Sequence, residues 1–182
     1  MNPRGNFKQI FAIAYPGEVG FFGFARPAFG SIPPTVEMQS RLFSLVCNGD
    51  IRLPSQEEMT KVADRDRLEW EYRFGYDAKR VRGLVDFQVY CDGLAQIMGV
   101  MPPLLHLFFT KPWLWLKIMF GPFTMHQYRL RGPQADPKRA EAVYSRQPLG
   151  DLLESSITAS FLAIAKVLSI LGFARFKPNN FQ

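Results

Sequence analysis

The fold is decided by the stretch Gly23-Phe24-Ala25-Arg26-Pro27-Ala28-Phe29-Gly30-Ser31-Ile32-Pro33-Pro34-Thr35-Val36. Its first residues predict the end of an apolar strand, and the Pro and Gly that follow predict a stiff loop. The adjacent prolines suit the first turn of a helix, where a missing N–H leaves no bond unmade. We predict that this helix extends from Thr35 to Cys47 and ends at Asn48-Gly49.

A strand, a glycine-bearing loop and a helix N-terminus in this order can present free backbone amides to an anion. Most turns of this kind only connect two elements, and that is the default interpretation here.

The residues before this stretch predict a β-hairpin. Phe7 to Ile13 and Val19 to Ala25 are apolar runs of strand length. Between them, Tyr15-Pro16-Gly17-Glu18 has the Pro then Gly order of a type II turn.

The residues after this stretch predict mainly helices. Ser55-Gln56-Glu57-Glu58 has the capping-box pattern, so a helix should begin there. The stripe from Leu84 to Met98 has helical spacing and ends at Gly99. Asp136-Pro137 is typical of a helix start, with its end near Arg146. The fold class is therefore α+β and mostly helical, with a short hairpin followed by helices.

Two apolar segments raise the question of a membrane. Residues 104–123 are divided at Lys111-Pro112 into two short helices, and Trp113 and Trp115 either pack in a core, which we favour, or lie at a lipid interface. Residues 157–173 contain one charge, Lys166, and would form about 25 Å of helix against a hydrocarbon core of about 30 Å. They form a tail anchor, a helix lying in the headgroup region, or a helix docked on the domain.

Composition and charge exclude several classes of protein. The chain has 182 residues, is 47% hydrophobic and contains 17 Phe, which a disordered chain does not carry. Residues 103–182 hold 10 basic and 4 acidic side chains and so account for the whole net charge of +6. Because this excess lies in the most apolar part, it suits an anionic membrane surface better than nucleic acid, which we do not expect as a partner. Chance scatter of surface charge is the alternative.

No complete catalytic constellation is visible. His106 and His126 have no carboxylate nearby in sequence, and Cys47 and Cys91 lack the spacing of redox or zinc chemistry, so we expect buried thiols in a reducing compartment and no metal site. The sequence contains no G-x-G triplet, which excludes the usual dinucleotide-binding loop within this chain.

The residues resemble the C-terminal portion of the flavin-containing monooxygenases. In that family a strand ends in G-(F/L)-x-(R/Q)-P, and an E-x-Q-x-R helix follows a Gly-Ser/Ala-Ile-x-Pro loop, as in residues 23–41. Leu53-Pro54-Ser55 matches the family's L-P-S step, and residues 85–99 are similar to its V-D-Y…L-A…I-G helix. Residues 120–133 are similar to F-G-P…Q-Y-R-L-x-G-P, but Gln134-Ala135-Asp136 stands where the family has Gly, any residue and Trp.

The resemblance implies an enzyme that holds FAD and NADPH on two dinucleotide-binding domains and oxygenates nitrogen or sulfur through a flavin C4a-hydroperoxide. It divides the chain into partial FAD-domain strands, loop and helix (1–50), a helical C-terminal region (51–147), and a linker with an apolar helix (148–182). It assigns cofactor-binding roles, with no catalytic residue, to Arg26, Pro27, Gly30, Ser31 and Gln39.

Two hypotheses follow from the resemblance. In the first, the chain is the C-terminal piece of a flavin monooxygenase, either a truncated gene model or a part that works with an upstream portion carrying the FAD and NADPH domains. Alone it binds neither cofactor tightly and is inactive. In the second, it is a non-catalytic membrane-associated or interaction module that kept the scaffold. We expect it at a membrane through residues 157–173, facing the cytoplasm, at the endoplasmic reticulum in a eukaryote; a cytoplasmic location is the alternative.

Overall fold

The structure of the protein, a computed structural model, describes residues 3–74 and 83–147. Over these residues it is α+β and mostly helical, which confirms the predicted class. The strands are β1 (Arg26–Pro27) and β2 (Leu84–Val85), which pair in parallel, and 3₁₀ turns cover Pro3–Gly5 and Met125–Arg129. The helices are α1 (Ile32–Cys47), α2 (Gln56–Phe74), α3 (Phe87–Met98), α4 (Leu104–Thr110), α5 (Pro112–Phe120) and α6 (Pro137–Ser145).

The chain forms two compact units. The first unit joins the residues up to Met101 with Arg131–Ala135, and the second unit joins Pro102–Leu130 with the residues from Asp136 onward. The predicted apolar helix at 157–173 lies outside the described residues.

The turn predicted for the hairpin is confirmed. Gly17 has a φ of 79°, a value that the third position of a type II turn requires and that glycine adopts without strain. The Glu18 N–H donates to the carbonyl oxygen of Tyr15 at 3.2 Å, which closes the turn.

The two strands predicted around that turn are wrong. Phe11 forms isolated antiparallel bridges with Phe7 and Gly20, and no ladder extends from them. The reason is local: Lys8 and Gln9 have φ values of 51° and 55°, so the chain folds back between Phe7 and Phe11. An apolar run of strand length is thereby used as a tight loop.

Local capping determines where the helices begin. The Glu58 N–H donates to Ser55 Oγ at 3.3 Å and the Ser55 N–H donates to Glu58 Oε2 at 3.0 Å, so the predicted capping box is confirmed. The carboxylate of Asp136 accepts from the Arg139 N–H at 3.1 Å, which confirms the predicted start of α6. Helix α1 begins three residues earlier than predicted, at Ile32, since both prolines lie within its first turn.

Helix α3 begins later than its apolar stripe. Leu84 and Val85 belong to β2, and the Asp86 carboxylate then caps the helix by accepting from the Val89 N–H at 3.2 Å. Gly99 ends the helix with a φ of 68°, as the sequence predicts. A stripe of helical spacing therefore includes two strand residues.

Each unit has its own core. In the first unit α1 packs against α3, and the fully buried side chains include Leu42, Val85, Leu94 and Ala95. In the second unit Leu107, Leu114 and Tyr144 are buried, with Trp115, Ile118 and Leu130 packed against them. None of the described helices is long and apolar enough to cross a membrane.

The predicted core role holds for one of the two tryptophans of α5. Trp115 packs against the core of the second unit, whereas Trp113 remains 54% exposed. The predicted break between two short helices at Lys111 is confirmed.

Candidate functional site

The parallel strand pair fixes the start of residues 26–31, which contain four of the predicted cofactor residues. We call these residues the edge. The Arg26 N–H donates to the Gly83 carbonyl oxygen at 2.7 Å, and the Ala28 N–H donates to the Val85 carbonyl oxygen at 3.0 Å. Pro27 lies between these two donors, where the ladder requires no N–H from it. The sequence pattern G-F-A-R-P therefore forms half of a parallel pair and does not extend a hairpin.

The loop after β1 lies against the start of α3. Gly30 has a φ of 126°, and a Cβ at this position would lie 2.8 Å from two carbons of the Phe87 ring. Only glycine satisfies both the backbone conformation and the close contact. This contact determines the path by which the chain leaves β1 and enters α1.

The N-terminus of α1 is a weaker anion site than the sequence suggests. Ser31 is the N-cap residue in an extended conformation, and its side chain makes no capping hydrogen bond. Pro33 and Pro34 carry no N–H, so the first turn offers only the amides of Ser31 and Ile32. Binding at this edge would depend on side chains more than on helix amides.

Arg26 and Ser31 supply those side chains. Both residues are exposed, and within residues 3–74 and 83–147 the Arg26 guanidinium has no ion-pair partner. Arg26 offers N–H donors and Ser31 an O–H donor, and such donors suit an acceptor-rich ligand. Pro27 and Gly30 belong to the same segment, so four of the five predicted residues lie within residues 26–31.

The fifth predicted residue, Gln39, lies apart from that edge and is fully buried. Its Oε1 accepts from the Gly23 N–H at 3.0 Å, and its Nε2 donates to the Tyr90 hydroxyl oxygen at 2.8 Å. The Tyr90 hydroxyl in turn donates to the Lys8 carbonyl oxygen at 2.6 Å. Gln39 therefore joins α1, α3 and two turns of the first unit, and its predicted contact with a cofactor stays a prediction.

This network supports the geometry of the edge. Gly23 has a φ of 76° and lies three residues before Arg26, while Lys8 has the left-handed φ noted above. Burial raises the pKa of Tyr90, with a smaller opposing effect from the hydrogen bond of Gln39. Tyr90 therefore keeps its proton, and its neutral hydroxyl accepts from Gln39 and donates to the Lys8 carbonyl oxygen.

The two cysteines differ in their surroundings. Cys91 is fully buried and burial raises the pKa of its thiol to about 12, while its hydrogen bond with Thr35 acts in the opposite direction. Cys47 is exposed, so the expectation of two buried thiols is wrong for this residue. It lies in the last position of α1, on the side of the helix away from the core.

Some residues of the site were not found by sequence reasoning. A Cβ on Gly83 would collide with the carbonyl oxygen of Phe24, so this glycine permits the approach of the two strands. Tyr90 lies within the predicted α3 stripe, but nothing in the spacing indicates that its hydroxyl meets Gln39. The apolar residues next to Tyr90 in the sequence predict that its ring is buried, but they do not indicate a hydrogen-bond partner for its hydroxyl.

Gln134 stands where the resemblance places a glycine. Its φ is 60°, in the left-handed region that favours glycine, so the backbone keeps a glycine-like conformation. Its Oε1 accepts from Arg41 Nε at 3.3 Å, and the Pro133 carbonyl oxygen accepts from Arg41 Nη2 at 3.3 Å. The departure from the family pattern is thus accommodated by a buried arginine of α1.

Comparison with known proteins identifies the family to which this chain belongs. Residues 5–149 match the flavin-binding monooxygenase-like family. Because the match covers well over half of the 182 residues, the chain belongs to the flavin-binding monooxygenase-like family.

Several relatives are similar over most of this chain. A 4-hydroxybenzoate brominase (decarboxylating) of Pseudoalteromonas luteoviolacea is 36% identical over 72% of the chain and 25% of its own length. Flavin-containing monooxygenase 3 of Macaca mulatta is 30% identical over 77% of the chain and 26% of its own length. Dimethylaniline monooxygenase [N-oxide-forming] 2 of Rattus norvegicus is 35% identical over 82% of the chain and 29% of its own length. The chain therefore spans about a quarter of the length of these curated relatives.

Proposed function

We propose that this chain is the C-terminal part of an FAD- and NADPH-dependent monooxygenase that oxygenates nitrogen or sulfur in soft nucleophiles. The family match over residues 5–149 supports the proposal most strongly. The names of two relatives, a flavin-containing monooxygenase and an N-oxide-forming dimethylaniline monooxygenase, support the choice of reaction.

The residues present fit one edge of a flavin. The ring system of FAD carries carbonyl oxygens and ring nitrogens that accept hydrogen bonds, and the Arg26 guanidinium and the Ser31 hydroxyl are exposed donors. When bound, the flavin would supply the redox and oxygen-activating chemistry. The role of this chain would be to orient one edge of the ring, with Gln39 holding the supporting turn.

The phosphates of both dinucleotides need binding groups that lie outside these 182 residues. The sequence has no G-x-G triplet, and the two prolines of α1 remove amide donors from its first turn. We therefore propose that FAD- and NADPH-binding domains of the same enzyme are the partner, and that this chain alone binds neither cofactor tightly. Phe29, which is 91% exposed, and Ile32, which is 41% exposed, lie beside the proposed edge and offer apolar surface for that partner.

A chimera tests the proposal. Residues 5–149 would replace the matching C-terminal part of the rat dimethylaniline monooxygenase 2, and FAD content, FAD affinity and NADPH-dependent N-oxidation would be measured. We expect a yellow protein with activity. Arg26→Ala should weaken FAD binding at least about tenfold, because a charge-assisted hydrogen bond is worth about 1.5–3 kcal/mol. Arg52→Ala, which removes an exposed arginine outside residues 26–31, should not weaken it.

The contrary result is equally clear. A chimera that shows the far-UV circular dichroism of the parent enzyme but retains no flavin would contradict the proposal. It would favour the second hypothesis, a non-catalytic module that kept the scaffold. Purification of the isolated chain with stoichiometric flavin would refute the part of the proposal that concerns the missing phosphate sites.

We also propose that residues 157–173 attach the protein to the cytoplasmic face of a membrane, the endoplasmic reticulum in a eukaryote, with a cytoplasmic location as the alternative. Their apolar sequence, the single charge of Lys166 and the basic Arg175 and Lys177 that follow support this. Deletion of residues 152–182 should reduce co-sedimentation with liposomes. Equal sedimentation before and after the deletion counts against this attachment.

A further inference from the structure

Helices α4 and α5 of the second unit meet at Lys111 and expose apolar side chains on both sides of this junction. Leu105 and Phe109 are each 75% exposed, Trp113 is 54% exposed and Phe108 is 46% exposed. We call these four residues the apolar corner. On α4 they occupy positions i, i+3 and i+4 and so share one face of the helix.

Basic side chains lie at the apolar corner and on helix α6, which the corner contacts through Lys111. Lys111, at its centre, pairs with Glu141 of α6 at 2.6 Å. Lys138 precedes Glu141 by one helical turn and therefore lies on the same face of α6, and both Lys138 and its neighbour Arg139 are exposed. Across the described residues of the second unit, six basic side chains stand against two acidic ones.

A cavity opens beside the corner. It has a volume of about 440 Å³, lies between α5 and α6, and is lined mainly by apolar atoms. Its walls include Pro112, Trp113 and Leu114. Cavities of this size accept small apolar molecules or a segment of a hydrocarbon chain.

We propose that the apolar corner is a second membrane contact, which inserts into the headgroup region of an anionic bilayer. An exposed tryptophan at the edge of an apolar surface is typical of lipid interfaces, where its ring lies at the level of the headgroups. The exposed Lys138 and Arg139 complement anionic headgroups. A second copy of the chain would instead bring the same positive charges together, which disfavours a dimer through this face.

The proposal extends the membrane association proposed above to a surface of the described fold, and it does not depend on flavin binding. The 182-residue chain would be mixed with vesicles of equal parts phosphatidylcholine and phosphatidylglycerol, and with vesicles of phosphatidylcholine alone. The test variant is Leu105→Ser/Phe109→Ser/Trp113→Ser. The control is Tyr15→Ser/Leu68→Ser/Tyr72→Ser, which removes side chains of similar exposure, 58%, 53% and 67%, from the first unit.

The corner variant should bind the anionic vesicles about tenfold more weakly for each side chain, since removal of ~60 Å² of apolar surface from water changes a partition coefficient by about that factor. The control should change binding less than about twofold. Wild-type binding should weaken in phosphatidylcholine alone and at high salt. If the corner variant binds as the wild type does, attachment runs through residues 157–173 alone and the proposal is wrong.

A second measurement keeps the test independent of folding of the triple variant. Trp113 is the most exposed of the three tryptophans, as Trp70 is only 7% exposed and Trp115 packs in the core. Its emission should shift to shorter wavelength on anionic vesicles and be quenched by lipids brominated near the headgroup. Trp113→Phe should retain binding and lose most of this quenching. Unquenched Trp113 in vesicle-bound protein, or concentration-dependent dimers that the corner variant abolishes, would overturn the proposal.

Discussion

The buried amide of Gln39 gives the sharpest test of the first unit. Gln39→Leu keeps the side-chain volume but removes the acceptor of the Gly23 N–H and the donor to the Tyr90 hydroxyl. Because no cavity is created, any loss of stability reports the hydrogen bonds and not packing. The bond to Lys8 is left in place, since it is made by the hydroxyl of Tyr90 itself.

The expected magnitude follows from the two bonds. The lost bond to the buried Tyr90 hydroxyl is worth about 1 kcal/mol, and an unpaired N–H of Gly23 costs about 1–2 kcal/mol because it is only partly shielded from water. The free energy of unfolding should therefore fall by about 2–3 kcal/mol. Tyr90→Phe should cost about 1–2 kcal/mol, and the double variant should cost less than the sum of the two single variants.

The assay must report the first unit alone. In a Trp113→Phe/Trp115→Phe background Trp70 is the sole tryptophan, and it lies in the first unit at 7% exposure. Urea unfolding followed by its fluorescence then gives the free energy of unfolding of this unit. Gln96→Leu, an exposed position on α3, is the matched control and should change it by less than about 0.5 kcal/mol.

Two results would refute this reasoning. If Gln39→Leu is as stable as its background to within about 0.5 kcal/mol, the buried network does not stabilise the unit. If the two substitutions are strictly additive, Gln39 and Tyr90 do not interact in the folded chain.

Further substitutions test other contacts. Gly30→Ala should lower the free energy of unfolding by about 2 kcal/mol or more, since its methyl group would meet the Phe87 ring and its φ is unfavourable; urea midpoints check this. Cys47 should react with a thiol reagent in the native chain, and Cys91 only after unfolding, which counting thiols with and without urea decides. Burial raises the pKa of the Cys91 thiol from 9.0 to about 12. The contribution of this thiol to the free energy of unfolding is therefore complete below pH 9 and is lost as the pH rises toward 12. Unfolding curves measured across this pH range should show the decline. Lys117→Met should destabilise the second unit by about 2 kcal/mol, because Lys117 Nζ donates to three carbonyl oxygens at the end of α6; thermal unfolding measures it.

Each of these predictions has a contrary result, and the glycine substitution also has a control. Gly99→Ala has no atom within 4 Å to meet, so it measures the cost of a left-handed φ of 68° without a clash. If Gly30→Ala and Gly99→Ala lower the free energy of unfolding equally, the contact between residue 30 and the Phe87 ring does not affect stability. Rapid labelling of both thiols in the native chain would contradict the prediction for Cys47 and Cys91. An alkaline loss of stability that is just as large in Cys91→Ala would contradict the prediction of pH dependence. A Lys117→Met variant as stable as wild type would contradict the prediction for Lys117.

The sequence predicted those elements whose determinants are local. The Ser55 and Glu58 capping box, the Asp136 cap and the break at Lys111 each involve residues within one helical turn, so the interaction can be inferred from spacing. The type II turn at Gly17 is local in the same sense. These features set the helical class of the fold before any tertiary contact is considered.

The site depends on contacts that spacing does not reveal. β1 pairs with β2, and Gln39 meets Tyr90, across long stretches of chain, so no local pattern indicates either partner. The prediction of a strand from Phe7 to Ile13 failed because Lys8 and Gln9 are not residues from which a left-handed conformation is expected. The resemblance to flavin-containing monooxygenases located the edge at Arg26, and only the structure distinguishes that exposed edge from the buried Gln39.

The parallel pair of β1 and β2 also sets an order of folding. Arg26 pairs with Leu84, 58 positions later, and closing a loop of that length costs on the order of 4 kcal/mol. A ladder of two residues on each strand cannot offset this cost, so we expect α1 and α3 to dock first and the ladder to form afterward. During synthesis Arg26 must wait until Leu84 has left the ribosome, whereas α4 and α5 are adjacent and can pair as soon as they emerge. The edge that begins at Arg26 is thus completed late, after the helices that support it.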